Sequence, residues 1–439
     1  MRTQRHDLSG ASRRLMGAAI IAGLVAPGQA LAGGLLAYEI GTADVALASA
    51  GYGARAQDAS TIFTNPAGMT RLEGSQVLLA PQLLYGNVGF SIGSGTSSAL
   101  GTDHGGNPIG WFPSGGSFFS YSVSHDLKLG FGAAGSFGLG EAYHDNWVGR
   151  YYVQAATLIG LSLLPSIAYR LHDKFSAGLA VNVMYGVLKE QVAINNIGGA
   201  PDAQLKVDST TWGWGLNLGL LYEASSETRF GLTYNSRVKL GFSGPAQFSG
   251  LQPGLQALLG AAGLLTATIT ADLIVPQQVL LGAFHQIDAR WAIMGNVSWQ
   301  QWSTFGMPVI GINNTSNPAS LTFNLHYKDT WHGAAGAQVR LSDPWLLNFG
   351  IAYDSGFQDS SKVSPMLPVN SAWRFGIGAQ DQISETFSWG VAAEYMYGGT
   401  LKVNEQSSVP VAVGGRGDLI GSYDNTGIVF FAGHVEWRF

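Results

Sequence analysis

Apolar residues alternate with small or polar ones through most of this chain. From 210 to 222 one parity carries Trp212, Trp214, Leu216, Leu218, Leu220 and Tyr222, and the other Thr211, Gly213, Gly215, Asn217 and Gly219. Residues 387–397 repeat the split, with Phe387, Trp389, Val391, Ala393, Tyr395 and Tyr397 opposite Ser388, Gly390, Ala392, Glu394 and Met396. Successive side chains of a strand point to opposite faces, so each stretch has one apolar and one small or polar face. Aromatics near the strand ends and small residues on the other face match lipid outside and a lumen inside. Fourteen such segments begin near residues 75, 115, 128, 157, 174, 207, 227, 270, 290, 325, 346, 371, 386 and 426. The pattern predicts an all-β fold, a 14-stranded antiparallel transmembrane barrel whose closure leaves no strand edge in lipid. Connections alternate, short at 125–127, 171–174, 224–227, 287–290, 341–345 and 382–385 and long elsewhere. Short turns mark the periplasmic side, which places both termini there.

Two stretches depart from the alternation. Residues 151–169 carry no charge and match a membrane helix in length, but Gly160, Pro165 and the period-two series Ile159, Leu161, Leu163, Ile167 and Tyr169 predict an outer loop running into a strand. Residues 240–271 are also uncharged, and Leu255, Leu258, Leu259 and Ala262 recur there at helical spacing. This outer helix is either a packed lid or one wall of a groove that captures apolar molecules, with Trp147, Tyr151 and Tyr152 as the second wall. In the strand read from 229 to 242, Phe230, Leu232, Tyr234, Val238 and Leu240 take the lipid parity, which turns Arg237 and Lys239 into the lumen. That pair is a candidate carboxylate site, since Arg offers a fork and Lys a point charge. Pairing with a lumen acid such as Glu190, or with lipopolysaccharide phosphates, is the other reading of the same residues.

Composition narrows the class. The 439 residues are 46% hydrophobic and 12% charged, with 61 Gly, 12 Trp and no Cys. Charge is too scarce for an ordinary soluble surface, and apolar content too low for a helical membrane bundle. A formal net charge of −5 opposes nucleic acid as a partner. Nothing points to catalysis, a cofactor or a metal. Gly89, Ser91 and Gly93 fit G-x-S-x-G, but a Gly/Ser-rich loop follows where an elbow needs a helix, and the nine His show no H-E-x-x-H spacing.

The N-terminus has the layout of a secretion signal: Arg2, Arg5, Arg13 and Arg14, an apolar stretch from 15 to 25, and Ala30-Leu31-Ala32 as the cleavage site. The expected domains are a cleaved signal at 1–32, a plug at 33–74 and the barrel at 75–439. Within the plug, Asn65, Pro66 and Ala67 form a helix start in which Pro66 keeps Asn65 extended as the cap.

Residues 58–72, DASTIFTNPAGMTRL, resemble the N-terminal hatch of the FadL family of outer-membrane transporters, and the resemblance extends over nearly the whole mature chain. It implies a Gram-negative outer-membrane uptake channel for long-chain fatty acids or other hydrophobic compounds, with neutral hydrocarbons as the alternative cargo. Apolar substrate would be captured at the outer loops, pass an internal site beside Leu35, Leu36 and Tyr38, and leave sideways at a kinked third strand. Phe137 and Gly138 match that kink. Lipids, lipopolysaccharide and barrel-assembly machinery, which reads a terminal Phe such as Phe439, are the implied partners of a monomer.

Overall fold

A computed structural model describes residues 35–196, 200–342 and 345–439. The expected signal peptide and cleavage site lie outside them. Fourteen long strands close into one antiparallel barrel. In chain order they are β1 (Gln76–Asn87), β2 (Gly110–Ser122), β3 (Leu127–Ala142), β4 (Ala155–His172), β5 (Phe175–Ile194), β6 (Ala203–Glu223) and β7 (Thr228–Asn235). The second half comprises β8 (Gln278–Gln286), β9 (Trp291–Gln300), β10 (Thr330–Ser342), β11 (Trp345–Asp354), β12 (Ala372–Ser384), β13 (Phe387–Glu405) and β14 (Leu419–Arg438). Each strand pairs with its sequence neighbour, and β1 pairs with β14 from Gln76↔Arg438 to Asn87↔Gly427. Ser75 and Phe439 then exchange two backbone hydrogen bonds at 2.8 and 2.9 Å, which seals the seam at the chain end.

The alternation places the expected side chains outside. Trp212, Trp214, Leu218 and Leu220 are exposed on the outer wall, as are Phe431, Trp437 and Phe439 on the closing strand. The uncharged stretch at 151–169 runs from a loop into β4 as expected.

Several boundaries differ from the sequence reading. The second strand begins at Gly110 rather than near 115, the eighth at Gln278 rather than near 270, the tenth at Thr330 rather than near 325, and the last at Leu419 rather than near 426. One further difference matters more. The strand read from 229 to 242 stops at Asn235, because Ser236 leaves the β7 register and bonds back to Leu216, its amide donating to the Leu216 carbonyl and its hydroxyl accepting from the Leu216 amide. Val238–Pro245 then starts a separate sheet with Thr268–Val275, Val309–Asn313 and Ala319–Thr322, outside the barrel ladder. A one-residue slip exchanges the two faces of a strand. Val238, Leu240 and Phe242 are therefore buried instead of lipid-facing, while Lys239 is exposed.

Residues 35–74 pack against the inner face of the barrel. The short helices Thr42–Ala46 and Thr61–Thr64 are buried throughout, as is nearly all of the 3₁₀ turn Pro66–Arg71. The approach is too close for side chains on the wall at some positions. A Cβ on Gly219 would lie 2.0 Å from Asn65 Oδ1, and one on Gly231 would lie 1.8 Å from the Gly53 oxygen. Glycine at these places lets two backbones touch, which explains part of the glycine excess.

Candidate functional site

The site is built where the inner segment meets β3. The β2–β3 ladder runs only from Ser122↔Lys128 to Gly116↔Ala134. Beyond it, β3 loses register between Gly135 and Phe137 and carries Gly138 at φ +121°, a region that favours glycine. A Cβ on Gly138 would stand 1.9 Å from the Leu158 oxygen. In place of β2, the inner segment supplies the partner: the Ala37 amide donates to Ser136 O at 3.1 Å and the Gly138 amide to Leu35 O at 2.8 Å. The upper part of β2, residues 110–115, keeps its pairing with β1. A seam thus separates β2 from β3 at the bulge, with residues 35–37 lying on its β3 edge.

Leu35 and the three residues after it line different spaces. Leu35 faces a cavity with about 430 Å³ of empty space, partly open, bounded by Leu139, Leu158, Leu188 and Met366 together with Glu141 and Glu190. Leu36, Ala37 and Tyr38 face a second space of about 490 Å³ lined by Asn182, Asn217, Asn235 and Gln278. The first is mostly apolar, with Glu141, Glu190 and Thr157 as its polar side chains, and the second mixes its four amides with apolar residues such as Phe63, Met184 and Val275. Leu35 also belongs to the large apolar cluster with Phe137, Leu158 and Trp302.

Polar contacts fasten the inner segment to the wall. Asn65 caps the Pro66–Arg71 turn, its Oδ1 accepting from the Ala67 amide at 3.1 Å. Its Nδ2 donates to Gly53 O at 2.6 Å and to Leu220 O of β6 at 3.0 Å. One side chain therefore joins cap, segment and barrel. Arg374 of β12 holds Glu39, Asp354 at 2.6 Å and Glu394 at 3.2 Å, all buried. His332 bridges Asp354 and Ser49 at 2.8 Å each. Tyr38 Oη bonds Ser298 at 3.1 Å and receives the Gln278 amide at 2.9 Å. Asp44 pairs with Arg55 at 2.7 Å inside the segment, and burial raises its carboxyl above the usual range in spite of that guanidinium.

Other expected site residues are not gathered into one groove. Trp147 is fully buried, stacked on Tyr143 with centroids 3.9 Å apart and donating from Nε1 to Val153 O at 2.6 Å. Tyr151 donates to Asp202 at 2.6 Å and Tyr152 to Gly417 O at 2.7 Å. They form a cluster apart from the helix Pro253–Ala261, whose Leu255 and Leu259, with Ala262, pack on the large apolar cluster. Leu258 is exposed. Arg237 and Lys239 do not enter the lumen as expected: Arg237 donates to Gln301 at 3.2 Å, and Lys239 pairs with Asp272 at 2.7 Å on an exposed face. The slip at Ser236 is the cause. Ser91 sits in a short strand, Phe90–Ile92, paired with β14 and not at an elbow.

The whole-chain comparisons agree with this architecture. Residues 23–439 match the model of a family described as outer membrane protein transport protein (OMPP1/FadL/TodX). The chain belongs to this family. It is an outer-membrane transport protein of the Gram-negative type, and its relatives are transport proteins, not enzymes. The long-chain fatty acid transport protein of Escherichia coli strain K12 is 25% identical over 415 residues, 86% of this chain and 90% of that protein. Among solved structures, a Pseudomonas aeruginosa FadL homologue superposes with TM-score 0.80 at 21% identity, covering 92% of this chain and 100% of that one. The toluene transporter TodX of P. putida gives 0.70 at 15% identity over 91% and 98%. Within this FadL-type frame, sequence reasoning missed the cluster around Arg374. Glu394 gave a signal, being charged on the lumen parity of β13, but its partner on β12 was not sought.

Proposed function

We propose that this chain takes up hydrophobic compounds through a barrel closed by residues 33–74 acting as a hatch, and releases them sideways at the β2–β3 seam. An apolar solute gains nothing from a water-filled pore, and the polar outer leaflet hinders its entry into the bilayer from outside. A dry cavity opening toward lipid answers both constraints. One observation carries the reading: β3 breaks its pairing with β2 where Leu35, Leu36 and Ala37 take up the free edge, directly beside the apolar cavity. Movement of that segment joins the cavity to the seam. Leu35 is the side chain that must leave, and burying it contributes about 1.5–3 kcal/mol to the closed form. The names of the relatives span long-chain fatty acids and toluene, so apolar molecules of either kind are the cargo.

The test is conductance together with bound ligand. Intact protein in planar bilayers should conduct weakly, and deletion of residues 38–69 should raise conductance strongly. Mass spectrometry of the purified protein should find retained hydrophobic molecules, and Ala156→Phe, which fills the cavity, should remove them. Porin-like conductance of intact protein would defeat the hatch. Unchanged retention in Ala156→Phe would defeat the cavity.

A further inference from the structure

The second space, lined by Leu36, Ala37 and Tyr38, has two unlike walls. On the barrel side its amides form one row, in which Asn217 stands opposite Asn235 across β6 and β7, and Asn235 opposite Gln278 across β7 and β8. Asn182 of β5 pairs at Gly215, two residues from Asn217, and lines the same space. The inner segment supplies the other wall with Leu36, Ala37, Tyr52 and Phe63. No Asp, Glu, Lys, Arg or His among the described residues lines it. The row is used up at one end. Gln278 donates to Tyr38 Oη at 2.9 Å and to Ser298 Oγ at 3.0 Å, and its oxygen accepts from Asn235 at 3.1 Å. At the other end Asn182 is only 8% exposed, and its Oδ1 has no partner.

Neither water nor a hydrocarbon suits both walls. Water satisfies the amides but leaves Leu36, Phe63, Met184 and Val275 wet, whereas a hydrocarbon covers those side chains and strands the amides without partners. A charged group would be buried there with no counter-ion. Whichever way it is turned, the Asn182 amide presents N–H donors and an oxygen acceptor, so its complement is a group that both donates and accepts. Resting on residues 35–38 as part of the uptake route, we propose that this space is a second ligand site, which holds amphiphiles with a neutral alcohol or primary amide end. The polar end meets Asn182 and Asn217, and the carbon chain lies along Leu36, Phe63 and Met184.

The experiment equilibrates detergent-purified full-length protein, unmodified and as Ala156→Phe with the cavity beside Leu35 filled, with equal amounts of decanamide, decanol, decylamine, decanoate and decane. At neutral pH the amine and the acid are charged. Gel filtration isolates the protein, and gas chromatography quantifies what stays bound above empty micelles. In Ala156→Phe, decanamide and decanol should exceed decane by about fivefold, the ratio expected for one neutral hydrogen bond, and the two charged probes should stay at the micelle level. Adding Ala37→Phe, which fills the second space from the inner segment, should bring all five to that level. Adding Asn182→Leu instead should erase the preference over decane, and Asn217→Leu serves if that variant does not fold, judged by heat-dependent gel mobility. Decane or either charged probe held as well as decanamide overturns the proposal, as does a preference that survives Ala37→Phe or folded Asn182→Leu. No probe above micelles in Ala156→Phe, where the unmodified protein holds decane, means that the amides hold water only; this too overturns the second site and leaves the first cavity standing. Decane held equally by Ala156→Phe and the unmodified protein defeats the first cavity instead, while the decanamide ratio and its loss in Ala37→Phe still decide the second site.

Discussion

Replacing Arg374 with Met tests what holds the inner segment in the barrel. Arg374 is buried and stands against Glu39, Asp354 and Glu394 at once. Removing one partner of a buried ion pair costs about 3–5 kcal/mol, because the remaining charge is left without compensation. Here three acids would share that loss. Asp354 and Glu394 are fixed on β11 and β13, but Glu39 lies on the segment and can leave for water. The strain should therefore drain into release of the segment, and about 3–5 kcal/mol shifts its equilibrium by roughly two to three and a half decades. Two readouts follow. Single-channel conductance should rise, and trypsin should cut at Arg55 or Arg71, which are sheltered in the closed form. The barrel should keep its heat-dependent gel mobility. Adding Glu39→Gln should restore part of the resistance, since it withdraws one of the stranded charges. A folded Arg374→Met barrel with unchanged conductance and uncut Arg55 and Arg71 would refute the reasoning.

Asn65→Ala removes the Nδ2 bonds to Gly53 and Leu220 and the cap on Ala67, at about 1–3 kcal/mol for buried groups left unpaired. Uptake of a labelled apolar substrate should fall while barrel heat stability holds, and unchanged uptake at normal surface expression would reduce Asn65 to a helix cap. The double substitution Arg237→Gln with Lys239→Gln should leave relative uptake of a fatty acid and an equal-length alkane unchanged, because both side chains sit outside the lumen with Gln301 and Asp272. Selective loss of the acid would contradict that placement.

The barrel was legible because lipid and lumen impose a strict two-residue period on every wall strand, and Trp212 to Tyr222 keep it without a break. Strand number followed from counting these segments. The site was less legible, for a physical reason. Ser236 shifts the phase by one residue without any change in composition, so Val238 and Leu240 read as lipid-facing although they are buried. Trp147, Tyr151 and Tyr152 have the composition of a binding wall, but Asp202, Val153 and Gly417, far off in sequence or hidden in the backbone, use up their polar ends. Asn65 was readable as a cap, and its bond to Leu220 needed the fold. The meeting of Tyr143, Tyr423 and Pro365 O in space is likewise encoded by no local pattern.

Closing the β2–β3 seam with a reversible bond tests the central claim most directly. A Cβ built on Gly135 lies 3.1 Å from Ser114 Oγ, within reach of a disulfide across the gap. The chain has no Cys of its own, so Ser114→Cys with Gly135→Cys gives one defined link. Uptake of a labelled apolar compound is measured in the same cells before and after reduction, with each single variant as control. Sideways release predicts that the oxidised pair falls to the level of cells lacking the protein and that reductant restores uptake. Full uptake with the link quantitatively formed would contradict the account.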